Sequence, residues 1–156
     1  MATEIERKFL VHHNLWSEIK KEHNPECIIQ GYLSKGAERT VRIRIKANQG
    51  FLTIKSKNEG IIRKEFEYTI PLKDAREMIE MCLGAIISKS RYTIVFNGLR
   101  WEVDEFSGDN EGLIIAEVEL KSEHQEIIIP NWVSKEVSED TRYFNSSLVS
   151  HPFKFW

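Results

Sequence analysis

The chain has 156 residues, a length typical of one domain, and 41% of them are hydrophobic, which is enough to bury a core. Its 22 basic and 24 acidic residues give a net charge of −2, which argues against a dedicated DNA- or RNA-binding protein. No apolar run approaches the ~20 residues of a transmembrane helix, the N-terminus lacks a secretory signal, and two cysteines are too few for a disulfide scaffold. We therefore expect one cytoplasmic globular domain over residues 1–156, with no nucleic-acid or membrane partner.

Alternating apolar and polar residues, the pattern of half-buried strands, recur along the chain. They predict eight strands, at residues 3–11, 27–34, 39–47, 51–57, 61–70, 86–96, 99–106 and 113–121. Asn97-Gly98 is the strongest hairpin signal, because both residues tolerate the positive φ of a type I′ turn. Further turns are expected at Gly36, Asn48-Gln49-Gly50, Asn58-Glu59-Gly60 and residues 108–112.

Helices are predicted at only three places: residues 13–22, 73–83 and 144–150. In the second of these, Ala75, Ile79 and Cys82 fall on one apolar stripe, and Gly84 is a natural stop. Many strands and few helices predict a mainly β, α+β fold, namely a closed eight-stranded antiparallel barrel with a few flanking helices. Closure of the barrel would leave no sheet edge exposed.

The polar face of the predicted strands carries long charged side chains in like-sign pairs. These pairs are Glu4/Glu6, Arg42/Arg44, Lys55/Lys57, Glu65/Glu67, Lys89/Arg91 and Glu117/Glu119. Same-face neighbours on a strand lie roughly 6.6 Å apart, so like charges there give no stabilisation. A highly charged ligand would compensate them: carboxylates suit divalent cations, and Lys and Arg suit phosphate oxygens.

Two interpretations of this charged face remain open from the pattern alone. Antiparallel sheets commonly present one face to water, so the charges fit a solvated outer surface. They also fit a wet lumen inside an eight-stranded barrel, which is wide enough for one small ligand. The segments Glu4-x-Glu6-x-Lys8 and Glu117-x-Glu119-x-Lys121 echo each other near opposite ends of the chain, which favours convergence on one site.

The chain resembles the CYTH superfamily, also called the triphosphate tunnel metalloenzymes. The opening Glu4-Ile5-Glu6-Arg7-Lys8-Phe9-Leu10 is similar to the signature of that family. Further similar segments follow in order: Thr40-Val41-Arg42-Ile43-Arg44, Leu52-Thr53-Ile54-Lys55, Arg63-Lys64-Glu65-Phe66-Glu67, Lys89-Ser90-Arg91-Tyr92, Trp101-Glu102-Val103-Asp104, Ala116-Glu117-Val118-Glu119 and Arg142-Tyr143-Phe144-Asn145. The resemblance spans nearly the whole chain.

The resemblance implies a tunnel that binds a triphosphate and a divalent cation, Mg²⁺ or Mn²⁺. The metal-binding carboxylates would be Glu4, Glu6, Glu117 and Glu119, supported by Asp104, with Glu65 and Glu67 as further candidates. The phosphate-binding residues would be Lys8, Arg42, Arg44, Lys55, Arg63, Lys89 and Arg91. The catalytic group would comprise Glu4, Glu6, Lys8, Glu117 and Glu119, and a C-terminal helix near residues 141–149 would lie by one mouth.

The family includes inorganic, thiamine and RNA triphosphatases and class IV adenylate cyclases, and no base-recognition site is visible in this sequence. A metal-dependent hydrolase acting on the terminal phosphate of inorganic tripolyphosphate is therefore expected, with nucleoside triphosphates as further substrates. Alternatives are a class IV adenylate cyclase, a non-catalytic polyphosphate- or nucleotide-binding module and, as the weakest, a lipocalin-type barrel with an apolar lumen.

Other residues are expected to have structural roles. The five histidines are predicted to be exposed or packed, not metal ligands, and Cys27 and Cys82 are predicted to be small buried apolar residues. Trp16, Trp101 and Trp132 are expected to pack, and the aromatic tail at residues 151–156 is expected to pack on the barrel or on a partner. Apolar outer faces suggest a homodimer.

Overall fold

The structure, a computed structural model, describes residues 3–156. Its strands are β1 (Thr3–Val11), β2 (Glu26–Lys35), β3 (Arg39–Lys46), β4 (Gln49–Ser56), β5 (Ile62–Ile70), β6 (Leu83–Phe96), β7 (Leu99–Phe106), β8 (Ile114–Glu119) and β9 (Val133–Glu136). Its α-helices are α1 (His13–Ile19), α2 (Leu72–Ile79) and α3 (Asn145–Leu148). Short 3₁₀ turns occupy Lys20–Glu22, Gly108–Asn110, Thr141–Tyr143 and Phe153–Phe155.

The sheet closes on itself through β1. Neighbouring strands follow the order β5-β4-β3-β2-β6-β7-β8-β1, all in antiparallel pairs. One edge of β1 pairs with β8, where Glu6 lies opposite Glu119, and the start of its other edge pairs with β5, where Glu4 lies opposite Arg63. The predicted closed eight-stranded antiparallel barrel is therefore confirmed.

Two tight hairpins set the register of four strands. Asn97 (φ 50°) and Gly98 (φ 77°) both have positive φ between the paired residues Phe96 and Leu99, as predicted for a type I′ turn. The turn expected at Asn48-Gln49-Gly50 was placed one residue too far along the chain. It is formed by Ala47 and Asn48, both with positive φ, while Gln49 and Gly50 already belong to β4.

Several predicted boundaries differ from the structure. The helix predicted at residues 73–83 ends at Ile79, because the chain turns at residues 80–82 and enters β6 at Leu83. The strand predicted at residues 113–121 spans only Ile114–Glu119, and the helix predicted at 144–150 spans only Asn145–Leu148. The sequence also gave no prediction of β9, whose four residues pair with the end of β1 and are too few to establish an alternating pattern.

The apolar core lies outside the barrel wall, between the strands and the segments that cover them. Trp16 of α1 packs against Tyr92 and Trp132 with ring centroids 5.3 Å apart, and Trp101 lies 5.5 Å from Phe9. A second cluster, around Ile115 and Leu148, lies under the C-terminal segment. The packing role predicted for these tryptophans is confirmed by their near-complete burial, and the lumen is left to polar side chains.

The two cysteines and the tail complete the comparison. Cys27 is exposed, contrary to the prediction of a buried residue, and Cys82 is half-buried against α2. The aromatic tail packs only in part: Phe153 packs against the cluster around Ile115 and Leu148, whereas Phe155 and Trp156 are exposed. Trp156 contacts Tyr143 and Phe153 edge-to-face, each at 5.0 Å between ring centroids. Within residues 3–156, no helix combines the length and apolar composition that a membrane span requires.

Candidate active site

Most charged residues in the predicted polar register point into the lumen of the barrel, whereas Lys57 follows the end of β4, is exposed and lines neither lumen cavity. The residues that point inward do so because successive side chains of each strand face opposite sides, and the apolar partners of these residues face outward into the core. Two connected groups of lumen-facing residues line a narrow inner cavity of about 40 Å³ and a wider cavity of about 340 Å³. Of the predicted site residues, those lining one or both cavities are Glu4, Glu6, Lys8, Arg42, Arg44, Lys55, Arg63, Glu65, Glu67, Lys89, Arg91, Glu117 and Glu119.

The two cavities differ in charge. The inner cavity is lined mainly by cations, with Glu6 and Glu117 as its carboxylates, and the aromatic rings of Tyr32 and Phe144 lie at its wall. The wider cavity carries most of the carboxylates of the lumen, including Glu65, Glu67, Glu102 and Glu119. Cations thus dominate at one end of the lumen, and carboxylates are concentrated among further cations towards the other, which suits a polyanion and a cation bound side by side.

Glu4 is ionised and held by two cations. Lys55 Nζ lies 3.1 Å from both carboxylate oxygens of Glu4, and Arg63 Nε lies 3.1 Å from Oε1. Burial opposes ionisation, but the charges of Lys55 and Arg63 outweigh it and hold the pKa of Glu4 at about 2. Lys55 also pairs with Glu65 at 3.2 Å, so this lysine lies between two carboxylates.

Glu6 and Glu117 form a close pair of half-buried carboxyl groups. Burial and the neighbouring charges of Glu117 and Glu4 raise the pKa of Glu6 well above its usual range. Burial also acts on Glu117, but Lys8 and a hydrogen bond from Glu6 overcome it and lower the pKa of Glu117. A divalent cation would stabilise the fully ionised form of two half-buried carboxyl groups that share one proton in this way.

Glu119 lies opposite Glu6 in the β1–β8 pair and faces the wider cavity. Burial and the charges of Glu4 and Glu102 raise the pKa of its carboxyl group. Glu119 therefore stands among like charges, which a bound divalent cation would stabilise.

The basic residues have different partners from one another. Arg42 donates to Thr53 Oγ1 at 3.1 Å and lies 3.6 Å from Glu67, and its Nε has no hydrogen-bond partner among the described residues. Arg44 donates from Nε to Gln30 Oε1 at 2.8 Å. Burial, with the like charges of Arg42 and Arg91, lowers the pKa of Arg44 to about 9.

Asp104 is placed differently from the other predicted carboxylates. It lies behind Lys89 and Arg91: Lys89 Nζ is 2.7 Å from Oδ2, and Arg91 donates to both oxygens at 2.8 and 2.9 Å. Burial lowers the pKa of Lys89 to about 7, although Asp104 opposes that effect. The supporting metal role of Asp104 stays a prediction, and its observed contacts are those of a residue that orients two cations.

Several lumen residues were not predicted. Gln30, Asn145, Thr53 and Phe144 contact the cations, and Lys8 Nζ lies 4.9 Å from the centre of the Phe144 ring. Gln30 stands in the inward register of β2, so the strand period could have identified it. Asn145 lies in a separate C-terminal helix, and only the fold brings it to the lumen.

A divalent cation fits this donor set. In residues 3–156, no three His, Cys, Asp or Glu side chains come together closely enough to hold a metal by themselves. Mg²⁺ is usually held by one or two carboxylates together with substrate phosphates and water, not by an all-protein cage. Glu6 and Glu117, with Glu4 and Glu119 beside them, supply such carboxylates next to a phosphate-sized basic cavity.

Comparison with known proteins agrees with this geometry. The CYTH domain family model matches residues 2–152, so the chain belongs to the CYTH family. A protein of Acetivibrio thermocellus named inorganic triphosphatase is 43% identical over 155 residues, covering 99% of this chain and 97% of its own. One of Nitrosomonas europaea with the same name is 35% identical over 151 residues, covering 94% and 97% of the two chains. A solved inorganic triphosphatase structure superposes with a TM-score of 0.65 at 32% identity, covering 96% and 95%.

Proposed function

We propose that this protein is an inorganic triphosphatase, which hydrolyses tripolyphosphate to pyrophosphate and orthophosphate with Mg²⁺ or Mn²⁺. The observation that carries the proposal is the closed lumen in which buried lysines and arginines face a group of carboxylates. Such a lumen suits a compact polyanion bound together with a cation. The name shared by the Acetivibrio and Nitrosomonas relatives supports the same activity.

Phosphoryl transfer depends mainly on positioning and on charge stabilisation. Lysines and arginines of the inner cavity hold the phosphate oxygens and stabilise the charge that develops on them. Water attacks the terminal phosphorus in line, the bond to the bridging oxygen breaks, and pyrophosphate leaves with the electron pair of that bond. Arg42 is placed to hold a phosphate oxygen, because its Nε has no other partner among the described residues.

The carboxylates have two roles in this proposal. Glu6 and Glu117, with Glu4 and Glu119 beside them, would hold the divalent cation together with substrate phosphates, and the bound cation would polarise the phosphate oxygens. Glu117 lines both cavities and is ionised, so its carboxylate is placed to accept a hydrogen bond from the attacking water and to orient it. Lys8 keeps Glu117 ionised and also lines the inner cavity.

A phosphate-release screen tests the proposal. The substrates are tripolyphosphate, ATP, GTP and thiamine triphosphate, each with Mg²⁺, with Mn²⁺ and with a chelator. We expect the highest kcat/KM with tripolyphosphate and no release with the chelator. Cyclic AMP and pyrophosphate formed from ATP would instead indicate a cyclase, and tight tripolyphosphate binding without product would indicate a binding module.

We also propose that residues 1–156 form a single domain and that the protein is a homodimer. The surface that suggests a dimer is the outer face of β4 and β5, where Ile54, Phe66 and Tyr68 are exposed. Sedimentation velocity of the full chain would measure the stoichiometry.

A further inference from the structure

A chain of hydrogen-bonded polar side chains lies at the wall of the inner cavity, and two of its members are neutral amides. Gln30 of β2 is fully buried, accepts a hydrogen bond from Arg44 Nε at 2.8 Å and donates from Nε2 to Asn145 Oδ1 at 3.0 Å. The same Asn145 oxygen accepts from Lys89 Nζ at 2.9 Å. The order of contacts is therefore Arg44, Gln30, Asn145, Lys89.

The cations at both ends fix the orientation of both amides. Arginine and lysine are donors only, so each must face an amide oxygen. Gln30 must turn its oxygen to Arg44, which leaves its NH₂ to donate to Asn145. Asn145 must then turn its oxygen to Gln30 and to Lys89, so only one arrangement of the chain satisfies all of its members.

The neutrality of these acceptors is what matters for the ligand. An acceptor without charge orients a buried cation and leaves its positive charge available, whereas a carboxylate in the same place would cancel most of that charge. Arg44 takes part in none of the ion pairs found among residues 3–156, and burial together with neighbouring cations lowers its pKa to about 9. Arg44 therefore gains from an anion in the lumen more than its carboxylate-paired neighbour Arg91 does.

We infer that Gln30 and Asn145 are positioning residues for substrate binding, which hold Arg44 and Lys89 towards the triphosphate. Gln30 does so without neutralising Arg44, and Asn145 does so without adding to the negative charge that Asp104 already places 2.7 Å from Lys89 Nζ. The inference rests on the proposed function, since it assigns these amides to the phosphate-binding half of the same lumen. It also gives the C-terminal segment a part in substrate binding, because Asn145 begins α3 while Gln30 lies 115 positions earlier in the chain.

Variants in which each amide is replaced by the carboxylate of the same shape separate the effect of charge on substrate binding from an effect on folding. Asn145→Asp keeps an oxygen acceptor for both Gln30 and Lys89 but adds a negative charge beside Lys89. Gln30→Glu keeps the acceptor for Arg44 and adds a charge there. We expect each variant to raise the KM for tripolyphosphate, and the Kd of tripolyphosphate measured calorimetrically without divalent cations, at least tenfold, while the melting temperature stays near that of the wild type.

Asn110→Asp is the matched control. Asn110 is buried, and its Oδ1 accepts a hydrogen bond from the backbone N–H of Phe153, but Asn110 lines neither cavity of the lumen. The Kd and KM of the Asn110→Asp variant for tripolyphosphate are expected to stay within twofold of the wild-type values. This comparison removes any general effect of a buried Asn-to-Asp change.

A purely structural role makes the opposite prediction. If the amides only fasten α3 to the barrel, Asn145→Asp and Gln30→Glu keep wild-type Kd and KM, while Asn145→Ala and Gln30→Ala lower the melting temperature alone; that result would overturn the inference. The calorimetric Kd is informative even without turnover. A wild-type chain that binds tripolyphosphate but releases no phosphate would contradict the triphosphatase proposal and leave this inference to be decided by Kd.

Discussion

At the scale of single residues, the lumen concentrates like charges that the folded chain does not fully compensate. Glu6 and Glu117 lie close together, and burial with the charge of Glu117 raises the pKa of Glu6. On the basic side, Arg42 keeps an unpartnered Nε among the described residues. Charged or hydrogen-bonding groups that lack a full set of partners in the folded protein can find those partners in a ligand, so they indicate a binding site.

Glu117→Gln is expected to lower kcat with tripolyphosphate at least 100-fold and to leave the fold intact. The amide keeps the size of the side chain but removes the charge that would hold the cation and orient the water. Steady-state phosphate release with Mg²⁺ or Mn²⁺ measures the loss, and circular dichroism checks the fold. Glu77→Gln, on the exposed face of α2, is the control and should behave as the wild type. A kcat for Glu117→Gln within threefold of the wild type would refute the role of Glu117.

The sequence predicts the role of a residue well where that role follows from the alternation of side chains along a strand, and poorly elsewhere. Glu4, Arg42 and Lys55 are found from their alternation with apolar neighbours, because the barrel turns that register inward. Asp104 stands in the same register, yet it is engaged by Lys89 and Arg91 behind the lumen wall. That difference depends on the rotamers of long neighbouring side chains, which no sequence period records.

At the scale of elements, α2 lies on the outer face of β3 and β4 at a point of close contact. Gly50 of β4 faces fully buried Ala75 of α2, and a Cβ added to Gly50 would lie only 2.6 Å from the Cβ of Ala75. The helix therefore reaches the barrel because a strand residue lacks a side chain. Gly50 was expected to be a turn residue, and the structure gives it this packing role instead.

Gly50→Ala is expected to destabilise the protein by about 1–3 kcal/mol, the usual cost of overpacking a tight contact. Urea denaturation followed by tryptophan fluorescence measures the free energy of unfolding. Gly36→Ala is the matched control, because its added Cβ would meet no atom closer than 3.9 Å. Equal stability of the two variants would contradict close packing of α2 on the barrel.

Strand β9 is held to β1 by its side chains as well as by its backbone. Arg7 donates to Glu136 from Nε at 3.0 Å and from Nη2 at 2.7 Å, and Ser138 donates to the same carboxylate at 2.6 Å. The Arg7 hydrogen bond is the main cause that lowers the pKa of Glu136. Arg7 and Glu136 lie near opposite ends of the sequence, so a local sequence pattern could not predict that they pair.

The ion pair between Arg7 and Glu136 makes part of the stability depend on pH. Because folding lowers the pKa of Glu136, its contribution is present above the unfolded pKa of ~4.3 and is lost as the pH falls through the lower folded value. The pair is partly exposed, so Glu136→Gln is expected to cost only about 0.5 kcal/mol at pH 7.

Urea denaturation at pH 7 and pH 3.5 tests this sign. The difference between the wild type and Glu136→Gln should shrink at the lower pH, where the wild-type carboxylate begins to protonate. Glu139→Gln, at an exposed position with no ion pair among the described residues, should match the wild type at both pH values. A difference that grows as the pH falls would show that the pair has the opposite linkage.

At the scale of the whole molecule, the barrel inverts the usual arrangement of a small β protein. The apolar core lies outside the wall, covered by α1, α2 and the C-terminal segment, and the buried charges lie inside. The sequence left the direction of the charged face open on physical grounds, because alternation has the same period in both cases. The direction is decided by the segments that pack on the apolar face from outside, among them Trp16 of α1 and Leu148 of α3, because they leave the charged face to the closed lumen.

The same arrangement predicts that ligand binding contributes to stability. Arg42, Arg44, Lys89 and Arg91 are buried cations around one cavity, and a bound polyanion relieves their mutual repulsion only in the folded state. At a concentration of about 100 times Kd, a ligand that binds only the folded chain stabilises it by ~2.7 kcal/mol, which corresponds to roughly 5–10 °C in Tm for a chain of this length. Tripolyphosphate in a chelating buffer is therefore expected to raise Tm by that amount, as measured by scanning calorimetry. Sodium chloride at equal ionic strength is the control, because it screens exposed charges without filling the cavity. A rise in Tm with tripolyphosphate no larger than the rise with sodium chloride would show that the cations of the lumen do not bind one anion together.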